Sequence, residues 1–192
     1  MALGSGPGRQ RYRPGRLLRL RPQIGVRSKA LRLVDDPGFR VAGWACVRRS
    51  LILGQGRGVF DEAVVRIRSG RMHRGIGIGF RRRDAAVRLR ILGLPNWCEV
   101  IEDRLGDGEY EFVYRAGARH VLSGEEAFVV RLDDAGAVTA TVAAVSRPVW
   151  APLNRLQGWA MAGYLRGMGP RGHRKAQKTW RNPGKLPTVK GR

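Results

Sequence analysis

Glu125 and Glu126 stand side by side at the head of a stretch, Glu126 to Leu132, that reads as a strand. Neighbours on a strand face opposite sides of the sheet, so the two carboxylates cannot act as a pair. One of them must point inward, where a carboxylate needs a partner. Tyr114, His120 and Arg147 are the candidate partners. Such a buried polar cluster would bind or protonate a ligand; the plainer alternative is an ion pair that closes a loop onto the sheet. Ser146, His120 and Glu125 supply the residue types of a hydrolytic triad. No GxSxG elbow accompanies them, and Ser146 leads into the turn-forming Arg147-Pro148.

Other chemistry is weaker. Gly54, Gly56 and Gly58 lie between a strand and a helix, where backbone N–H groups attract anions. A dinucleotide fingerprint would want glycine at Val59 and an acid near Met72, His73 and Arg74, so a tight turn is the expectation. His73, His120 and His173, with Cys46 and Cys98, have no metal-ligand spacing, and neither a metal nor a cofactor is called for. The two cysteines make no disulfide framework, which points to a reducing, cytoplasmic setting. No apolar run approaches the roughly 20 residues of a membrane-spanning helix.

The elements that must position these groups are legible as periods. Val41 to Val47 and Leu51 to Leu53 read as a first strand. Val59, Phe60, Ala63, Val64 and Ile67 repeat at helical spacing, with Asp61 and Glu62 in the first turn and Gly70 as a stop. The period then drops to two: Gly75 to Phe80, Ala86 to Ile91, Trp97 to Glu102, Glu109 to Tyr114, Glu126 to Leu132 and Val138 to Val145. Short connections between them imply an antiparallel sheet. Val149, Leu153, Leu156, Ala160 and Tyr164 line one face of a last helix, weakened by Gly158 and Gly163. Trp44, Trp97, Trp150 and Trp159 fall on apolar faces.

The 192 residues carry a net charge of +22 and are 43% hydrophobic, enough for one domain with a real core. Most of the charge sits at the ends: residues 1–33 and 166–192 each hold nine Lys or Arg and no acid. Rich in Gly, Pro and Arg, they are expected to be disordered, as an extension over 1–35 and a tail over 170–192. Any partner of theirs would be nucleic acid or anionic lipid, held without sequence preference and sensitively to salt. Within the middle, Arg66 to Arg90 is basic, and Arg81-Arg82-Arg83 reads as a solvated hairpin turn without interleaved aromatics.

The segments LGQGRGVFDEA (53–63), RMHRG (71–75), YRAGARHVLSGEEAF (114–128) and VSRP (145–148), with Gln157 and Tyr164, resemble the bacterial and plant family catalogued as domain of unknown function 1990. The resemblance runs over roughly 40–168. Arg115 and Ala116 replace a usual Gly-Thr, Val145 a usual Phe, and Gly70 a usual Trp. It implies an α+β, helix-grip (START-like) domain over 36–169, six to seven antiparallel strands wrapped on a long C-terminal helix, and it implies no activity. The expected function is binding of a small, partly apolar ligand between sheet and helix. Tyr114, His120, Glu125 and Arg147 form its polar end, and Trp150, Gln157 and Tyr164 line the cavity. The alternatives are an adaptor acting through the basic ends and a lyase, cyclase or hydrolase working in the same cavity.

Overall fold

A β-period punctuated by hairpin-length gaps folds here as a meander closed by its own first strand. In the computed structural model, which describes residues 27–117, 122–148 and 152–169, a short helix α1 (Lys29–Asp35) precedes β1 (Ala45–Gln55), α2 (Arg57–Arg68) and the single turn α3 (Arg71–Arg74). Then come β2 (Gly79–Arg83), β3 (Ala86–Ile91), β4 (Leu94–Leu105), β5 (Glu109–Ala116), β6 (Leu122–Leu132), β7 (Ala137–Pro148) and α4 (Pro152–Met168). All seven strands form one antiparallel sheet in the order β1-β7-β6-β5-β4-β3-β2. The segment α2–α3 therefore carries the chain from one edge of the sheet to the other, across the face that α4 also covers. His120 and Trp150 lie outside the described residues, as do residues 1–26 and 170–192 of the two basic ends. No helix among the described residues is long and apolar enough to cross a membrane.

Alternation assigns each strand residue to a face. Tyr110, Phe112 and Tyr114 of β5, with Phe128 and Val130 of β6, join Phe60, Ile67, Met72, Met161 and Tyr164 in a core between sheet and helices. Val113, Ala127, Val129, Ala143 and Val145 form a second core on the opposite face, covered by Ala30, Leu31, Leu33 and Val34 of α1. A register shift between Val100 and Glu102 makes Ile101 the extra residue of a bulge, which sends Glu102 and Arg104 to the α1 side and Asp103 to the α4 side.

Four expectations change. Residues Lys29–Asp35, expected to belong to a disordered extension over 1–35, form α1, whose apolar face is buried, so the domain begins before residue 36. Residues Arg71–Arg74 turn helically, so the strand expected at Gly75 starts at Gly79 and takes in Arg81, Arg82 and Arg83; Asp84-Ala85 makes the turn instead. The helix expected from Val59 begins at Arg57 behind Gly56, whose φ of 86° suits glycine. Asp61 and Glu62 thus sit past the first turn, paired with Arg57 and Arg66. Trp97 and Trp159 are solvent-exposed rather than core, Trp159 at 77%.

The outward carboxylate of the glutamate pair is Glu125, and it holds α1 in place. Its Oε2 accepts the backbone N–H of Lys29 at 2.7 Å and of Ala30 at 3.4 Å, while Oε1 takes Arg115 at 3.0 Å. Ser28 Oγ accepts a third first-turn N–H, from Leu31 at 3.1 Å. Glu111, buried beneath the helix, binds Arg27 at 3.0 Å and Arg104 at 2.7 Å. Replacing Glu125 with Ala leaves two helix N–H groups unmet and should lower stability by about 1–2 kcal/mol. Amide exchange should quicken selectively over Ala30–Val34; uniform exchange across the sheet would show that α1 does not depend on this cap.

Candidate functional site

The inward carboxylate is Glu126, and it meets Tyr114 directly across the β5–β6 pair. The Tyr114 hydroxyl donates to Glu126 Oε2. Its oxygen lies 3.3 Å from His73 Nε2. With the tyrosine proton committed to the carboxylate, the geometry assigns the histidine proton to Nε2, where it points at the Tyr114 oxygen. Nδ1 is then a bare acceptor. It is buried and has no hydrogen-bond partner among the described residues.

Local structure explains how a histidine reaches this depth. Gly70, at φ 66°, breaks the chain out of α2 and starts the single turn of α3. A side chain there would run into the ring of Phe80, which occupies that space and stacks on His73 at 4.7 Å. Tyr164 and Phe128 complete the cage, with ring centroids 4.9 and 5.5 Å from the imidazole. Aromatic edges and faces contact the ring on several sides, but none of them supplies a donor for Nδ1.

Electrostatics follow from burial. Desolvation, aided by the Arg74 charge, pushes the His73 pKa down to about 3, so the ring is neutral. Desolvation pushes Glu126 up to about 7, against the opposing effect of the Tyr114 hydrogen bond. The Tyr114 and Tyr164 hydroxyls are raised by burial and then by the Glu126 charge. Cys98 is driven by burial and by Glu126 up to about 12, which leaves it an unreactive thiol. The cluster is a neutral imidazole and a carboxyl poised near neutrality, bridged by one phenol.

The expected site is only partly assembled. Tyr114 and Tyr164 are both buried on the α4 face. Glu125 and the exposed Arg147 lie on the opposite face, so they do not join Tyr114. Ser146 shares the face of Ala144, not of Glu125, which separates the two members of the weighed triad. Gln157 lies on α4. Glu126 takes the inward place foreseen for Glu125, and His73 joins it; His120 lies outside the described residues. The sequence signal for Glu126 was cross-strand pairing with Tyr114, which requires knowing the hairpin register. For His73 the signal was its place in RMHRG directly after a helix-stopping glycine.

Among the described residues, the space around this cluster is filled by its own side chains, Tyr114 being 4% exposed. Two open depressions lie elsewhere: one of about 450 Å³ beside Trp97 and Glu99, another of about 410 Å³ beside Trp44 and Glu125. Glu126 alone of the cluster keeps part of its surface uncovered.

A family model described as Domain of unknown function (DUF1990) matches residues 31–167. Among solved structures, the hypothetical protein jhp0584 from Helicobacter pylori is similar at 17% identity and a TM-score of 0.51, over 65% of this chain and 85% of that one. That likeness concerns the fold. Major latex-like protein 151 from Panax ginseng matches at 13% identity and a TM-score of 0.39, over 65% of this chain and 94% of that one. No curated protein matches the chain.

Proposed function

The chain belongs to the DUF1990 family, a domain of unknown function, and on that premise we propose that it binds a small, partly apolar molecule between the sheet and α4, as a helix-grip domain does. The carrying observation is the Nδ1 of His73, a buried acceptor with no partner among the described residues, on a ring whose other nitrogen is linked through Tyr114 to a carboxyl of pKa about 7. A buried polar atom without a partner costs free energy that a ligand donor would recover. The ligand is therefore a mostly apolar molecule carrying one hydroxyl or N–H group. It enters at the uncovered edge of Glu126, displaces packed aromatic surface, and presents its donor to His73. Binding without turnover is the reading the cluster supports best, because Cys98 is an inert thiol and Ser146 and Glu125 sit on opposite faces.

The test uses the full chain and N-phenyl-1-naphthylamine, a fluorophore that is apolar apart from one N–H. One-to-one binding with enhanced emission is expected, weakened about tenfold in His73→Phe by loss of the acceptor. Tyr114→Phe should act in the same direction while circular dichroism stays unchanged. No binding, or binding indifferent to both substitutions, would sink the proposal. Residues 1–26 and 170–192 of the basic ends, with their expected nucleic-acid or lipid partners, lie outside the described residues and play no part in it.

A further inference from the structure

Strands β2, β3 and β4 form one corner of the sheet, and α1 does not reach over their outer face. Arg81 of β2 stands directly opposite Arg88 of β3, and Arg88 stands opposite Trp97 of β4. The Arg88 guanidinium lies over the Trp97 ring at 5.6 Å. The arginines thus have an aromatic neighbour that comes from a different strand, which corrects the expectation of none. Like charges directly opposite on a sheet destabilise it. Yet Arg81, Arg83, Arg88 and Arg90 form no ion pair among the described residues. The nearby acid on this face, Glu99, stands opposite Ala86 and Arg115.

The same corner ends in a bare apolar tip. Ile91 pairs with Leu94 around a two-residue turn, Leu92-Gly93, with φ of 50° and 82°. Such turns favour Asn-Gly, since both positions are left-handed. A leucine is held there against its backbone preference, and it packs against nothing: Leu92 is 91% exposed, Leu94 63% and Trp97 51%. An aliphatic tip, an interfacial tryptophan and a belt of unpaired arginines together describe one kind of partner. Nucleic acid would leave the leucines without a use, since bases stack on aromatic faces. A second copy of the chain would bring the same arginines together.

We infer that this corner docks on an anionic lipid bilayer, the Leu92–Leu94 tip entering the headgroup–acyl boundary while Arg90, nearest the tip, and the Arg88 and Arg81 pair behind it contact the headgroups. It is independent of ligand binding under α4, which lies on the other face.

Because the basic ends are also attracted to anionic vesicles, the experiment must report on the tip itself. The full chain is prepared as Leu92→Cys in a Cys46→Ser background, Cys98 being buried, and labelled with a polarity-sensitive dye. Emission should shift to the blue on vesicles of phosphatidylcholine with phosphatidylserine, and stay unchanged on phosphatidylcholine alone. In co-sedimentation, Leu92→Asn with Leu94→Asn should weaken binding about tenfold and remove the part that survives high salt. Arg81→Gln with Arg88→Gln should weaken it about tenfold at low salt. A silent dye on vesicles that do sediment the chain would assign binding to the ends and overturn the inference. So would absent vesicle binding alongside Trp97-dependent capture of a single-stranded RNA.

Discussion

Glu126→Gln should turn a flat stretch of the stability–pH profile into a rising one. The wild-type plateau is expected between pH 4.5 and 6.5, the ordinary values of glutamate and histidine. Folded Glu126, raised from 4.5 to about 7, holds its proton where the unfolded chain has lost it. Its contribution is therefore complete below 4.5 and declines as pH rises through 7, by about 1.4 kcal/mol per pH unit. Folded His73, lowered from 6.5 to about 3, behaves oppositely. Its contribution is complete above 6.5 and is lost as pH falls toward 3, with the same slope. From 4.5 to 6.5 the two slopes cancel. Glu126→Gln removes the falling one, so relative to wild type the variant should gain about 3 kcal/mol across that window. His73→Phe, which preserves the stack on Phe80, should lose about as much over the same range. Urea unfolding at several pH values decides it: parallel profiles for all three proteins would mean that neither group is desolvated as described.

Gly167→Val should cost about 3 kcal/mol, although helix propensity alone favours replacing a glycine within α4. A Cβ at Gly167 would stand 2.9 Å from Met72 Cα and 3.3 Å from its carbonyl oxygen. Those are backbone atoms of α3 and cannot swing away. Gly163 faces the side chain of Ile76 instead, which can rotate, so Gly163→Ala should cost less. Even Gly167→Ala should destabilise, reversing the sign expected from propensity. Thermal denaturation of the three variants checks the order; equal or stabilising effects would show that the seam is loose.

These glycines illustrate what was legible in the chain and what was not. Strand positions and the last helix followed from periods of 2 and 3.6, which report a local property, the side of an element that meets apolar neighbours. Gly163 reads as a weak point of the helix, because its reason, the close approach of Ile76, comes from a residue far away in sequence. The glutamate pair shows the same division. Alternation alone required one carboxylate inside and one outside. Choosing Glu126 over Glu125 depends on the register that sets Tyr114 opposite Glu126, and on α1 supplying N–H groups to Glu125. Composition alone places the arginine run in a turn, whereas pairing with β3 makes it a strand in which Arg82 turns inward to Asp103 at 2.6 Å. His73 was hidden because apolar alternation after Gly75 outweighed the glycine before it.

The two apolar layers, one on each face of the sheet, divide the domain mechanically. With α1 strapped across one side by Arg27, Arg131 and Glu125, flexing β5, β6 or β7 would disturb both layers at once. The sheet is thus the stator of the assembly. Movement that would admit the proposed ligand falls to the side of α4, which is pinned against α3 at Gly167 and against Ile76, just beyond α3, at Gly163. That pin makes the terminal helix a lever whose fulcrum lies near its C-terminal end, so a small rotation there sweeps its N-terminal half through the largest arc.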